Sequence, residues 1–103
     1  MFVAMNRFRV KAGSEDTFIE LWRRRDSHLA GVPGFVRFHL LRQSHNAAQG
    51  YTLFASHSEW TSEQAFADWT RSEAFRETHV GAGRTPRDMY MGPPELECFN
   101  AVL

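Results

Sequence analysis

The chain has 103 residues, of which 43% are hydrophobic and 23% charged, and its 12 Lys and Arg balance its 12 Asp and Glu. That length holds one domain, residues 1–103, and the composition excludes disorder, which requires low hydrophobicity and high net charge. Zero net charge leaves no long-range field to draw in nucleic acid or an anionic membrane, and no apolar run approaches the roughly 20 residues that cross a bilayer.

Residues 2–10 alternate Phe2, Ala4, Asn6, Phe8, Val10 against Val3, Met5, Arg7, Arg9, the period of two that predicts a first strand. This opening stretch has no charged start followed by an apolar core, as a secretion signal would, so a cytoplasmic location is expected. Gly13 and Ser14 break the alternation. Ser14 is suited to cap a helix whose first turn carries Glu15 and Asp16, where acids complement the helix dipole. Phe18, Leu21, Trp22 and Leu29 share one face of this helix, which is expected to end near Ala30.

Gly31-Val-Pro-Gly34 has turn chemistry, since Gly tolerates positive φ and Pro blocks helix continuation. A second strand follows at 35–42, then a polar loop at 43–50, then a third strand from Tyr51 to about Ser58, antiparallel to the second. Thr61 with Gln64 fits a capping box for a second helix with Ala65, Phe66 and Trp69 on its apolar face, ending near Thr70. Arg71-Ser72-Glu73 resembles a recapping break before a further turn with Phe75 and His79, closed by Gly81. Residues 81–94, with three Gly and three Pro, form a loop, and alternation returns from Glu95 to Val102 as a fourth strand.

The order β-α-β-β-α-β predicts an α+β, ferredoxin-like fold, in which right-handed crossovers lay both helices on one face of a four-stranded antiparallel sheet. The other face is left bare. Because it carries apolar residues such as Val3 and Met5 or their opposite partners, a homodimer packed sheet to sheet, a dimeric α/β barrel, is expected.

Several chemistries are excluded. The single cysteine, Cys98, rules out an internal disulfide or a multi-cysteine metal site, and reads as a small core residue. The histidines at 28, 39, 45, 57 and 79 lack the i, i+4 spacing of a zinc pair. Gly81-Ala-Gly83 has no strand before it or helix after it, so it is no dinucleotide fingerprint, and no nucleophile elbow occurs. Aromatic residues make up 14% of the chain, more than a minimal core requires, which suits a wide site for a flat ligand, a subunit interface, or both.

Three residues stand out. Asn6 places an amide in the middle of a patterned strand, on the same side as Ala4 and Phe8, where an unpaired buried polar group costs about 1–3 kcal/mol. Trp69 lies on the apolar face of the second helix. His79 lies beside Phe75 and Val80, and imidazole in its neutral form is a natural ligand of heme iron. Each also reads as an ordinary structural residue: a backbone-satisfied Asn, a core Trp and a core or surface His.

Asn6-Arg7-Phe8, Gly34-Phe35, and the run Trp60-Thr-Ser-Glu-Gln-Ala-Phe66-Ala-Asp-Trp69-x-x-Ser72-Glu-Ala-Phe75-x-x-x-His79 together resemble the ferredoxin-fold heme-degrading monooxygenases, the Isd-type heme oxygenases of the antibiotic biosynthesis monooxygenase superfamily. The likeness covers residues 2 to about 81. It implies a dimeric enzyme in which heme is both cofactor and substrate. With O2 and an external electron donor, the ring is opened to a linear tetrapyrrole and iron is released. Asn6, Trp69 and His79 match the family's Asn, Trp and His: His79 as axial ligand, Asn6 offering its N–H on the distal side, and Trp69 pressing on the macrocycle. Phe66 and Phe75 would line the heme site, with Phe8, Leu21 and Trp22 as further walls. Arg25, Arg84 or Arg87 would meet the propionates. An unidentified reductase would be a partner. A cofactor-free monooxygenase acting on a polycyclic aromatic, which would not need His79, and a non-catalytic heme carrier are the competing readings.

Overall fold

The computed structural model describes residues 1–24, 29–44, 50–72, 75 and 87–103. In chain order the elements are β1 (Phe2–Lys11), α1 (Glu15–Arg24), β2 (Phe35–Arg42), β3 (Tyr51–Trp60), α2 (Glu63–Thr70) and β4 (Glu95–Asn100), with a short 3-10 turn at Arg87–Met89 before β4. The strands form one antiparallel sheet in the order β2-β3-β1-β4, the ferredoxin-like arrangement expected from the sequence. No described helix is long and apolar enough to cross a membrane.

The alternation of β1 sorts the two faces. Phe2, Ala4, Phe8 and Val10 are buried toward the helices, and register carries the same face across β3 as Trp60, Ser58, Ser56, Phe54 and Thr52. β3 runs two residues past the expected end. Trp60 pairs with both Phe2 and Phe35 and is fully buried, so its burial holds the strand's last turn of the ladder in place. Its indole N–H donates to Ser58 Oγ at 3.0 Å, and that hydroxyl donates to the Ala4 carbonyl at 3.3 Å.

Ser14 precedes α1 and its carbonyl accepts from the Phe18 N–H at 3.0 Å, while the Glu15 side chain fastens the helix start to the sheet. Glu15 accepts from the Gly13 N–H at 2.7 Å and from the Thr52 hydroxyl of β3 at 2.9 Å. Its own backbone N–H, the Thr52 hydroxyl and the Gly13 N–H hold its carboxyl below the ordinary value. Phe18 is the fully buried anchor of this helix. Leu29 is already outside the helix but buried, so helical structure stops short of the Ala30 expected from the pattern.

The start of α2 also differs from expectation. Ser62, not Thr61, is the cap: its Oγ accepts from the Ala65 N–H at 3.1 Å. The Thr61 N–H is instead committed to the Gly34 carbonyl at 2.8 Å, which ties this residue to the turn leading into β2 and delays the helix by one position. Gln64 donates to Asp68 at 2.8 Å, so no capping box closes. Gly34, at φ +84°, lies under α2, where an added Cβ would collide with Ala65 and sit 2.9 Å from Thr61 Oγ1.

Two core clusters lie between sheet and helices. One contains Phe8, Val10, Phe18, Phe54 and Met89, the other Phe2, Ala4, Leu29 and Trp60. The 87–94 segment is more ordered than the loop expected from its Gly and Pro content. Met89 enters the first cluster, Tyr90 bridges to Val10, and the Met91 N–H donates to the Arg9 carbonyl at 2.8 Å. β4 ends at Asn100 rather than Val102. Cys98 is exposed on it rather than in the core, at the sheet's edge opposite Ala4.

The face turned away from the helices carries Val3, Met5, Leu53 and Phe99, with the ion pairs Arg7–Glu97 at 3.1 Å, Arg9–Glu95 at 3.6 Å and Arg37–Glu59 at 2.7 Å interleaved. Leu41 and Phe99 on this face are 42% and 49% exposed, so apolar surface remains uncovered.

Candidate functional site

Asn6 lies at the seam between the two core clusters. Ala4, two residues before it, belongs to one, and Phe8, two residues after it, to the other. In register it faces Ser56 on β3 and Leu96 on β4, and Ser56 in turn faces Leu40 on β2. The row across the sheet is therefore Leu96, Asn6, Ser56, Leu40: two polar residues at the centre of an otherwise apolar floor. Both are half-buried. Among the described residues, the side-chain hydrogen bonds do not include the Asn6 carboxamide, so its donors and acceptor stand ready for a bound molecule.

The two helices raise aromatic walls on either side. Over the first cluster, Trp22 of α1 packs edge-on to Phe8 at 5.7 Å and stacks on Phe38 of β2 at 5.7 Å with a 17° tilt, bridging the clusters on the β2 side. Over the second, Trp69 of α2 lies 5.4 Å from Trp60, 6.2 Å from Phe66 and 4.8 Å, edge to face, from Phe75. Phe66 also meets Phe2 at 5.4 Å and Trp60 at 5.6 Å. Phe66, Trp69 and Phe75 thus form one wall, while Asn6 stands apart from it on the floor.

The helix ends one residue after Trp69. α2 ends at Thr70, the Ser72 hydroxyl donates to the Trp69 carbonyl at 2.6 Å, and the same oxygen accepts from the Phe75 N–H at 3.1 Å. The same serine thus bonds both to the end of the helix and to Phe75, while the further turn and closing Gly81 expected from the pattern lie, apart from Phe75, outside the described residues. His79, Arg25 and Arg84 lie outside the described residues, as does the Arg87 side chain. Among the described residues no group of three or more His, Cys, Asp or Glu is placed to hold a metal ion.

A floor with unspent hydrogen-bond groups between aromatic walls can take a flat aromatic molecule and address its polar atoms. Solved proteins share this architecture. The heme degrader MhuD from Mycobacterium tuberculosis, solved with two hemes in its active site, superposes with a TM-score of 0.73 at 26% identity, over 100% of this chain and 97% of that one. SnoaB, a cofactor-independent oxygenase from Streptomyces nogalater, gives 0.69 at 25% identity, over 99% and 93%. A monooxygenase from Streptomyces coelicolor in complex with nanaomycin D gives 0.70 at 24%, over 99% and 90%, a likeness of fold. No curated protein matches the sequence. The profile of antibiotic biosynthesis monooxygenases spans residues 1–81, reaching from β1 through both helices and past the Ser72 break. That span takes in β1, β2, β3 and both helices, well over half of the chain, and the chain belongs to the antibiotic biosynthesis monooxygenase family.

Proposed function

We propose that this chain is a heme-degrading monooxygenase that cleaves the porphyrin ring with O2 and electrons from an external donor, releasing iron and a linear tetrapyrrole. The observation that carries the reading is the unspent carboxamide of Asn6 on the seam between two aromatic clusters, with Trp69 on the adjoining wall. A planar macrocycle suits aromatic walls, and the Asn6 amide suits a polar ligand above its face. Sequence adds His79, ten residues beyond Trp69, and the 26% identity to a heme degrader supports the same substrate.

Bound heme would supply the iron at which oxygen is reduced; the rest falls to the chain. His79 would hold the heme iron through an imidazole nitrogen. Ser72 bonds to the last turn of α2 and to the Phe75 N–H, which fixes Phe75 beside Trp69. Asn6 would donate its N–H to a polar atom of the bound molecule. Trp69, held by Trp60, Phe66 and Phe75, would press on the ring as a rigid body, since its neighbours leave the indole little room to yield.

A second copy of the chain is proposed to cover the bare sheet face. Its ion pairs carry both signs across the face, so an isologous partner meets complementary charge, and Leu41, Phe99, Val3 and Met5 supply apolar area to bury.

The test is a hemin titration of the purified protein. A Soret shift in the wild type that His79→Ala abolishes, followed by loss of the heme spectrum under ascorbate and air, is the expected result. Absence of any Soret shift overturns the reading. The 25% identity to a cofactor-independent oxygenase favours a second reading, oxidation of a polycyclic aromatic in the same seam without His79. Oxygen uptake by metal-free protein with such a substrate would establish it. A heme spectrum stable for hours under reductant would mark a carrier instead.

A further inference from the structure

Two serines face the helices from β3, and they do different work. Ser58 is spent on structure: it donates to the Ala4 carbonyl and accepts from the Trp60 indole. Ser56, two residues earlier and directly opposite Asn6, takes part in no side-chain hydrogen bond among the described residues. It is half-buried, as Asn6 is. Residues directly opposite on antiparallel strands hold their Cβ atoms about 4.5–5.5 Å apart, so the Ser56 hydroxyl and the Asn6 amide reach the same point above the sheet. Above and below this row the same two strands present Phe8 opposite Phe54 and Phe2 opposite Trp60. A hydroxyl and a carboxamide side by side at a seam of apolar side chains lose water whenever a flat ligand covers them, and a ligand that accepts from both recovers that loss.

We infer that Ser56 is a binding residue of this site, acting with Asn6 as a two-donor grip on one oxygen atom of the bound molecule. The inference rests on the seam being the ligand site proposed above. Two neutral donors converging from adjacent strands favour an acceptor oxygen that carries or develops negative charge. That oxygen has two possible sources: a phenol or quinone substituent of a polycyclic aromatic, or a diatomic ligand held at the metal of bound heme. The grip would act by the same chemistry on either.

Two arms of one experiment separate these sources. In the first, the protein is loaded with hemin, reduced under carbon monoxide, and the C–O stretching frequency recorded; donors near the oxygen lower it. In the second, alizarin, a dihydroxyanthraquinone whose colour reports its ionisation, is titrated into metal-free protein at several pH values. Ser56→Ala is expected to raise the stretching frequency in the first arm, or in the second to weaken alizarin about tenfold, some 1.4 kcal/mol, and move its colour change to higher pH. Ser56→Thr, which keeps the hydroxyl, should retain the wild-type signal, and Ser56→Val, its isostere, should lose it, giving a second comparison if the alanine variant misfolds. A change confined to one arm supports the grip and identifies which oxygen it holds. Ser56→Ala and Ser56→Val both matching wild type, while Asn6→Ala does not, would overturn the role of Ser56 and leave the site standing. Wild-type protein that binds neither hemin nor alizarin would overturn site and grip together.

Discussion

Asn6 occupies a position where the alternation of β1 calls for an apolar side chain, and nothing among the described residues satisfies its amide. Such a residue is kept at a cost in stability. Asn6→Leu is therefore expected to raise the thermal midpoint, by about 0.5–1 kcal/mol of unfolding free energy, while hemin turnover falls at least tenfold. Calorimetry beside a degradation assay checks both, and a variant that is less stable and equally active contradicts the assignment. Trp69→Ala should lower turnover and also destabilise by about 2–3 kcal/mol, because three aromatic neighbours lose their partner, whereas Trp69→Phe should recover most of the stability. Asn6 and Trp69 were legible in the sequence because each breaks or crowns a pattern: an amide in an apolar alternation, an indole on a helical stripe. Ser56 was not. Serine is unremarkable in a strand, and only the register that sets it against Asn6 distinguishes it from Ser58.

The elements were legible where periodicity is strong and misjudged where a single hydrogen bond decides a boundary. β1 follows its alternation closely, but the start of α2 depends on which of two adjacent hydroxyl residues reaches a backbone N–H, a matter of where Gly34 holds Thr61. Ser62→Ala is expected to cost about 1 kcal/mol in urea unfolding, as the loss of a cap does. Gly34→Ala should cost about 2–4 kcal/mol, since the left-handed φ and the contact with Ala65 both oppose a methyl group. The latch of α1 onto β3 predicts a pH effect. Glu15 has its carboxyl lowered in the folded state, so its contribution is present above the ordinary carboxyl range and is lost as pH falls through the depressed value. Thr52→Val should destabilise by about 0.5–1 kcal/mol at neutral pH, and the difference from wild type should shrink on acidification. A difference that grows in acid would contradict the latch.

Taken whole, the described chain is a slab 38 × 34 × 19 Å, with helices over one side of its sheet only. The two-layer architecture was legible because the order of strand and helix patterns admits few topologies. The Met89 and Tyr90 contacts were not, because the short 3-10 turn leaves no period in a stretch rich in Gly and Pro. The uncovered side leads to a prediction at this scale. The wild-type protein should sediment at twice its chain mass at micromolar concentration, and Met5→Glu, which sets a second carboxylate beside Glu97 in the middle of that side, should shift it to a monomer. A wild type that sediments as a monomer would refute the pairing.

The contact between Trp60 and Trp69, 5.4 Å between ring centroids, has an optical consequence. Two indole transition dipoles at that spacing couple, so the folded chain should show an exciton couplet in circular dichroism that neither tryptophan produces alone. Because one indole belongs to the sheet and the other to α2, the couplet reports the seating of that helix directly. It offers a label-free signal for watching the roof of the seam shift as a ligand enters.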